Sequence, residues 1–509
     1  MEYIKTDVVV LGTGGAGMAA ALTAAEGGAS VVVLEKRPFP GGASNTPVGF
    51  GAVRKDQAFR DKAFKIHMKM THWTANADLV RAWIDKSGET PEWLAGEGVE
   101  FNPAPSKLTL ENMGQPSEMG GFPSGYNISD FFMLPPRGRG HGGAIMIKQM
   151  VAKAREIGVD IHMATPAKKI LKVAGRITGV YAEDKSGNRI HIDSKAVIIA
   201  TAGFNEDPEM IKEYSGYGFT LDRHGNCEEG DLFFLCPAFK LTGDGIKMAW
   251  EVGADKGSIG IGPFPHVPGP GIIGNMPWIM LSQMRIVQEQ PYLWVNQMGQ
   301  RFMDEGLVTD HITSGMVVAR QKGKCASIIF DEDTKKHMEE KGLDYTYFIF
   351  PAKTLTNIEG DIRNLIDQGN KHVFIADTVE DLAVQMDIDP NALKKTVDEY
   401  NGFCEKGHDE KYGKNSKFLR PVKKGKFYGV RCFSTAYQTI GGIKVNGKTE
   451  VMTREYKIIP GLYAAGDIIA AELFGDPPIL GNGNLGFALT SGRMAGDSAL
   501  EYINNRISK

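Results

Sequence analysis

Apolar residues along the chain fall into two kinds of run. Short unbroken runs, bounded by Asp, Ser or Gly, read as buried strands. The first two are Asp7–Leu11 and Ser30–Leu34, and Met18–Glu26 between them reads as an alanine-rich helix. Asp160–Met163, Lys169–Val173, Ile177–Asp184, Ile190–Ile192 and Ala196–Ala200 read as further strands, and buried strands return at Thr439–Val445 and Gly461–Ala465. Helical periodicity marks Asn76–Gly98, with Pro91 starting a new turn, and Ala144–Ile157, opened by His141-Gly142-Gly143. It marks the stretch from the Leu241–Gly245 turn to Val252, then Val379–Met386, Asn391–Phe403 and a last helix over Leu485–Ile503. Two stretches read as irregular: Gly41–Gly51, too rich in glycine to pack a core, and the long Gly/Pro/Met/Phe segment Ala104–Pro136. From about Asp255 to about Thr435 the texture changes to Pro/Gly loops and helices. This predicts an α/β chain of two domains. Residues 1–255 and 436–509 form one, interrupted by a second at 256–435.

The first strand runs straight into Gly12, Gly14 and Gly17 at G-x-G-x-x-G spacing, and the second ends on the acidic Glu35. Strand, glycine turn, helix, strand and acid together make a dinucleotide-binding fingerprint. Gly12 permits the tight turn, Gly14 lets a pyrophosphate approach the backbone, and Gly17 lets helix and strand pack closely. The helix N-terminus turns free N–H groups and a positive dipole end toward the phosphates. Glu35 can accept hydrogen bonds from both ribose hydroxyls and would repel a 2′-phosphate. No charge lies between Asp7 and Glu26, yet the glycine turn breaks this run and an acid, not a basic cluster, precedes it. No targeting segment is therefore expected. No other stretch is long and apolar enough to span a bilayer.

At 509 residues the chain is too long for one core. A net charge of −3 argues against nucleic acid as a partner, and 62 glycines suit a protein that wraps a large ligand with backbone. The cysteines, 227, 236, 325, 404 and 432, are scattered and form no C-x-x-C, so neither a disulfide framework, nor an iron–sulfur cluster, nor a zinc site is suggested, and without C-x-x-C-H no covalent haem is expected. A cytoplasmic location is the default expectation.

Several segments then match one family together: Gly12–Gly17, Gly41–Thr46, Ala200–Phe204, Thr242–Gly245, Val295–Glu305, Gly441-Gly442, Ile459–Asp467 and Gly481–Gly496. Through them nearly the whole chain resembles the fumarate reductase/succinate dehydrogenase flavoprotein superfamily, with its soluble fumarate reductases, urocanate reductase and 3-ketosteroid dehydrogenases. The resemblance implies FAD in a Rossmann-like domain, an inserted α+β capping domain, and an active site between them against the flavin ring. It implies FAD contacts at Gly12, Gly14, Gly15, Ala16, Gly17, Glu35, Lys36, Gly42, Ala43, Ser44, Asn45, Gly49 and Gly51. Further contacts are implied at Ala167, Ala200, Thr201, Ala202, Gly203, Asp244, Gly466, Asp467, Gly483, Asn484 and Leu485. The last helix would aim its N-terminus at the flavin pyrimidine edge, where reduced flavin gathers negative charge.

The chain also departs from the family. Membrane-complex relatives bind FAD through a histidine in a Ser-His-Thr segment. Here that segment is Ser44-Asn45-Thr46, so non-covalent FAD is expected. Fumarate reductases carry a proton-donor arginine just after the segment that reads Arg301–Glu305 here, and that place falls on Thr309. Their substrate histidine before the Gly-Gly pair is Gln438, and their carboxylate-clamping arginine is Ile479. Only His266 matches the remaining histidine. A dicarboxylate would be poorly compensated in such a site, which argues against fumarate or succinate. The steroid enzymes' tyrosine near the last loop falls on Pro478. Pro477–Leu480, Met276–Met280 and Met119–Tyr126 together favour an apolar, aromatic or alicyclic ligand.

The expected reaction is reduction of an activated alkene or the reverse dehydrogenation, with Arg285, Tyr126 and His266 as acid–base candidates and Tyr437 and His311 as further options. A plainer reading pairs Arg285 with Glu289 one turn on, and Arg301 with Glu305 as a buried structural pair. No second dinucleotide fingerprint occurs, so a separate carrier, a quinone or another flavoprotein, is expected to exchange electrons with the small-molecule substrate's enzyme. A 3-ketosteroid dehydrogenase-like enzyme and an electron-transfer subunit of a larger redox complex are the alternatives. The oligomeric state is open.

Overall fold

The computed structural model describes residues 2–102, 107–108, 128–135, 142–215, 218–219, 231–232, 239–266, 283–309, 311–345, 353–475 and 483–507. Its centre is a six-stranded sheet in the order Glu450–Met452, Ile458–Ala464, Ala196–Ile199, Val8–Leu11, Val31–Leu34, Asp160–His162. All its pairs are parallel except the first, which caps one edge antiparallel. The middle strands are unbroken apolar runs because both faces are covered. Val8 and Val10 join a core with the helices Gly15–Glu26, Gly142–Glu156 and Gly483–Ile507, while Val9 and Leu11 join the core on the other face.

The first and last of these helices pack along one another, and glycine sets their distance. A Cβ on Gly492 would lie 2.2 Å from the Ala16 carbonyl oxygen, and one on Gly496 2.9 Å from that of Ala20. Asn76–Gly98 resolves into two helices, Ala77–Ser87 and Thr90–Gly96, the first capped by Asn76 Oδ1 accepting from the Leu79 N–H and the second with proline in its first turn. A smaller sheet holds Glu2–Lys5, Arg189–Asp193, Arg176–Glu183 and Ala167–Val173.

Two stretches expected to be irregular are ordered. Gly42–Asn45 forms a turn of 3₁₀ helix, and Gly49–Ala52 is a buried strand paired with Asp130–Met133, out of the segment read as one long loop. The glycines serve close packing here rather than a loop: a Cβ on Gly49 would sit 2.3 Å from the Phe132 carbonyl oxygen. Phe50 is buried and stacks on Phe132 with ring centroids 5.7 Å apart. Most of the rest of Ala104–Pro136 lies outside the described residues.

The inserted segment builds an antiparallel sheet from Ile259–His266, Phe427–Gly441, Cys325–Asp331 and Leu293–Val295, with Val373–Ala376 also paired to Phe427–Gly441. Its buried apolar residues, from Met284 to Cys432, pack among themselves. The expected boundary at 435/436 falls inside the 15-residue strand Phe427–Gly441, which stays paired with Ile259–His266 to its last residue and there meets the cofactor domain. There Thr439 Oγ1 accepts from the Phe204 N–H at 2.8 Å and donates to Asn205 Oδ1 at 2.8 Å.

Arg301 and Glu305 do form a buried pair, inside a larger network. Arg301 donates to both Glu305 oxygens at 2.8 and 2.7 Å and to both Asp409 oxygens at 3.0 and 2.8 Å. Lys414 Nζ lies 3.4 Å from Glu305 and donates to Tyr400 Oη at 2.9 Å, and all four charged side chains are shut off from solvent. Two cations face two anions, so the cluster is balanced. Burial pushes the Asp409 carboxyl up, but the Arg301 guanidinium outweighs it and holds the group well below the usual carboxylate range. Asp409→Ala leaves a buried guanidinium half-paired and is expected to cost about 3–5 kcal/mol of stability, read as a lowered denaturant midpoint.

Candidate cofactor and substrate site

A cleft opens at the carboxyl ends of Val8–Leu11 and Ala196–Ile199, where a doubly wound sheet binds its ligand. Of the residues expected to touch the cofactor, Gly12, Gly14, Glu35, Lys36, Gly42, Ala43, Ser44, Ala167, Ala200, Thr201, Ala202, Asp244 and Asp467 line it. Thr13, Arg37, Gly41, Pro166, Phe239, Leu241 and Met248 line it as well and were not anticipated.

Glu35 stands at one end, buried. Its Oε2 accepts from the Thr13 N–H at 3.1 Å and Thr13 Oγ1 at 2.6 Å, and its Oε1 accepts from the Arg37 N–H at 2.9 Å. Thr13 Oγ1 in turn accepts from the Gly41 N–H at 3.1 Å. Thr13 thus ties the glycine turn, the acid and the following loop into one unit. In the sequence it occupies a position the fingerprint leaves free, and only its hydroxyl hinted at a role. Arg37 is buried beside it, its guanidinium 3.9 Å from the Phe39 ring centroid, and Nη1 has no partner among the described residues.

Lys36 reaches the cleft but spends its ammonium on the protein, donating to Asp244 at 2.8 Å and Thr242 at 2.9 Å. Burial raises the Asp244 carboxyl, yet Lys36 and Thr242 bring it below its ordinary value. Asn45 is also turned to the loop: its Nδ2 donates to the Pro40 carbonyl at 2.9 Å, and it lies against Gly41, whose φ of 106° suits glycine.

Gly15, Ala16, Gly17, Gly203 and Gly466 stand behind the wall and shape it. A Cβ on Gly17 would lie 2.0 Å from the Gly12 carbonyl oxygen, and one on Gly203 1.8 Å from Thr439 Oγ1. Gly466, at φ 81°, lies against Ala16. Ser44 Oγ accepts from the Gly15 N–H at 2.9 Å, and Leu485 packs on Gly15. The start of the last helix, Gly483 to Leu485, therefore meets the start of the first one. Gly49 and Gly51 are in the buried strand, where the Gly51 carbonyl oxygen would lie 2.0 Å from a Cβ on Gly486.

Asp467 closes the other end. Burial pushes its carboxyl up to about 7. Gln438 Nε2 donates to it at 3.4 Å, and Asn484 Nδ2 donates to Gln438 Oε1. Thr201 Oγ1 and Asn484 Oδ1 are buried without a partner among the described residues. Ala202 holds a left-handed φ of 58° in the cleft wall, a costly conformation for alanine. Unpartnered Arg37, Thr201 and Asn484 atoms, a carboxyl lacking a cation, and glycine walls fit a long polar ligand with hydroxyls, phosphates and a ring system, as FAD is.

The catalytic candidates are not brought together among the described residues. Arg285 lies in the short helix Met284–Val287 of the inserted sheet domain, with Nη1 2.5 Å from Glu289 and both side chains nearly buried. Its Nε and Nη1 make no hydrogen bond among the described residues. His266 ends the strand Ile259–His266, in register with Phe433. Tyr126 lies outside the described residues, as do Met119–Tyr126, Met276–Met280 and Pro477–Leu480. Among the described residues no group of His, Cys, Asp or Glu could hold a metal ion, and no helix is long and apolar enough to cross a membrane.

Two measurements test this geometry. Thr13→Val removes the hydroxyl that orders Glu35, and FAD affinity of the refilled apoprotein should fall about 5- to 100-fold, the equivalent of about 1–3 kcal/mol. Asp467→Asn should stabilise the flavin-free protein. A carboxyl whose folded value is raised contributes stability that is full below its unfolded value and lost as pH rises through the folded one. The melting-temperature advantage of the variant should therefore grow between about pH 4.5 and about pH 7.5 and then level off.

Comparison with known proteins agrees with the cleft. A sequence-family model described as FAD binding domain matches residues 7–483. The vinyl phenol reductase of Lactiplantibacillus plantarum is 30% identical over 99% of this chain and 98% of its own length. The fumarate reductase (cytochrome) of Shewanella frigidimarina is 26% identical over 97% of this chain and 77% of its own. The solved 3-ketosteroid Δ1-dehydrogenase of Sterolibacterium denitrificans shares the fold, with a TM-score of 0.74 at 19% identity over 98% of this chain and 99% of that one. The chain belongs to the fumarate reductase/succinate dehydrogenase flavoprotein superfamily and is an FAD-dependent oxidoreductase acting on CH–CH groups.

Proposed function

We propose that this enzyme reduces the activated C=C bond of an aromatic or alicyclic substrate that is not a dicarboxylate, that FAD is held without a covalent bond, and that a separate carrier supplies the electrons. The observation that supports this most is Gln438. It occupies the place where the resemblance puts a substrate-binding histidine of fumarate reductases. Here it is an uncharged amide, buried, with Asp467 at one end and Asn484 at the other. It brings no positive charge to a substrate, and its neighbour is an acid. A dianion would lose its hydration there without compensation. The end-to-end likeness to a protein named vinyl phenol reductase points the same way. At the place of the linking histidine, Asn45 offers a carboxamide already bound to Pro40.

Bound FAD supplies the two-electron chemistry. The chain must deliver a proton to the neighbouring carbon. Arg285, ion-paired with Glu289, is the candidate donor; Tyr126 and His266 are its rivals. A ketosteroid substrate rests on likeness of fold alone.

Anaerobic photoreduction followed by single additions of 4-vinylphenol, an aryl acrylate, a cyclic enone and fumarate tests the reading through flavin absorbance. The aryl alkenes or the enone should reoxidise the flavin and fumarate should leave it reduced. Rapid reoxidation by fumarate would refute the substrate class. Arg285→Gln should slow reoxidation by about 10²- to 10⁴-fold with flavin content unchanged, and acid denaturation of the parent protein should release all flavin from the polypeptide.

A further inference from the structure

Gln438 joins three parts of the chain distant in sequence. It lies on the strand Phe427–Gly441, Asp467 lies in the turn Gly466–Ile469, and Asn484 opens the helix Gly483–Ile507. Along this line Asp467 accepts the Nε2–H of Gln438, the Oε1 of Gln438 faces Asn484, and Asn484 gives its Nδ2–H to that oxygen. Asn484 is left with Oδ1, buried and without a partner among the described residues. A buried acceptor left open is expensive, and is found where a ligand completes it. The line starts at the cleft residue Asp467, and Leu485, next to Asn484, packs on Gly15, whose N–H is bound by the cleft residue Ser44. The oxidised flavin ring offers a single N–H donor, N3–H, between two carbonyl acceptors.

We propose that Gln438 is a positioning residue for the cofactor: bound to Asp467 at one end, it holds the Asn484 carboxamide at the other with Oδ1 presented as the acceptor for the flavin N3–H. Without that hold the Asn484 amide is free to turn, and either of its ends can face the cleft. The role concerns recognition of the flavin ring and is independent of which alkene is reduced.

The test uses apoprotein titrated with FAD and with FAD methylated at N3, followed by quenching of flavin fluorescence. The parent protein should prefer FAD by about tenfold or more. Gln438→Leu keeps the bulk but removes both hydrogen bonds, and should bind the two flavins within about twofold of each other. Gln438→Glu keeps an oxygen for Asn484 while placing a second acid beside Asp467. It should bind both flavins more weakly than the parent and keep the preference. A purely structural role for Gln438 would lower both affinities in Gln438→Leu and leave their ratio unchanged, which would overturn the proposal. Equal binding of both flavins by the parent, or loss of the preference in Gln438→Glu, would overturn it as well. If Gln438→Leu takes up no flavin, Gln438→Met is titrated in its place, with the same two outcomes.

Discussion

The architecture depends on how closely two helices from opposite ends of the chain can approach. Gly492 and Gly496 on the last helix meet the carbonyl oxygens of Ala16 and Ala20 at distances that no Cβ could share, and Gly486 does the same to the carbonyl of Gly51. Backbone packs on backbone along this seam, and the buried small residues Ala16, Ala19 and Ala20 leave room for it. The consequence is electrostatic. Both helices begin at the same place, around Gly15, Ser44 and Leu485, so two positive helix ends converge where a pyrophosphate and a flavin edge need them. Widening the seam by one methyl group would move the Gly483–Leu485 start away from the Gly12–Gly17 turn. The two halves of the cofactor site, more than four hundred residues apart in sequence, are set by this one distance.

The parts of the fold legible in the sequence are those whose cause is local. Val8–Leu11 and Val31–Leu34 are uniformly apolar because both their faces are covered, and the glycines after the first strand are required by contacts within the turn itself. The strand Gly49–Ala52 was missed because its partner is Asp130–Met133, far along the chain, and glycines that serve close packing look like loop residues when the partner is unseen. The cofactor cleft follows the same rule. Thirteen of the expected contacts line it, since turn and strand ends place them. Thr13 and Arg37 were passed over because a fingerprint names the positions where only one residue type fits, and these two act through side chains that any neighbour could have carried.

The two cofactor-side acids show what sequence alone does not carry. Asp244 and Asp467 look alike in the chain, each just after a glycine-containing turn. In the fold Asp244 is matched by Lys36 and Thr242 and sits below its ordinary value, while Asp467 has, among the described residues, the Gln438 amide and no cation, and is pushed up to about 7. The difference comes from segments more than two hundred residues away in the one case and about thirty in the other. Lys36 makes Asp244 a finished structural contact. Asp467 is left for a ligand to complete, so cofactor binding and folding stability draw on the same unsatisfied group.

The inserted domain solves the problem of buried charge in the opposite way, and the two solutions are mechanically connected. Arg301, Glu305, Asp409 and Lys414 balance one another out of contact with solvent, which makes that network a rigid anchor. The strand Phe427–Gly441 is paired to Cys325–Asp331 inside that domain. It continues past a register shift between Ala436 and Gln438 to Thr439, which is bound to Phe204 and Asn205 in the cofactor domain. The amide that faces Asp467 is therefore carried by an element whose other end belongs to the inserted sheet.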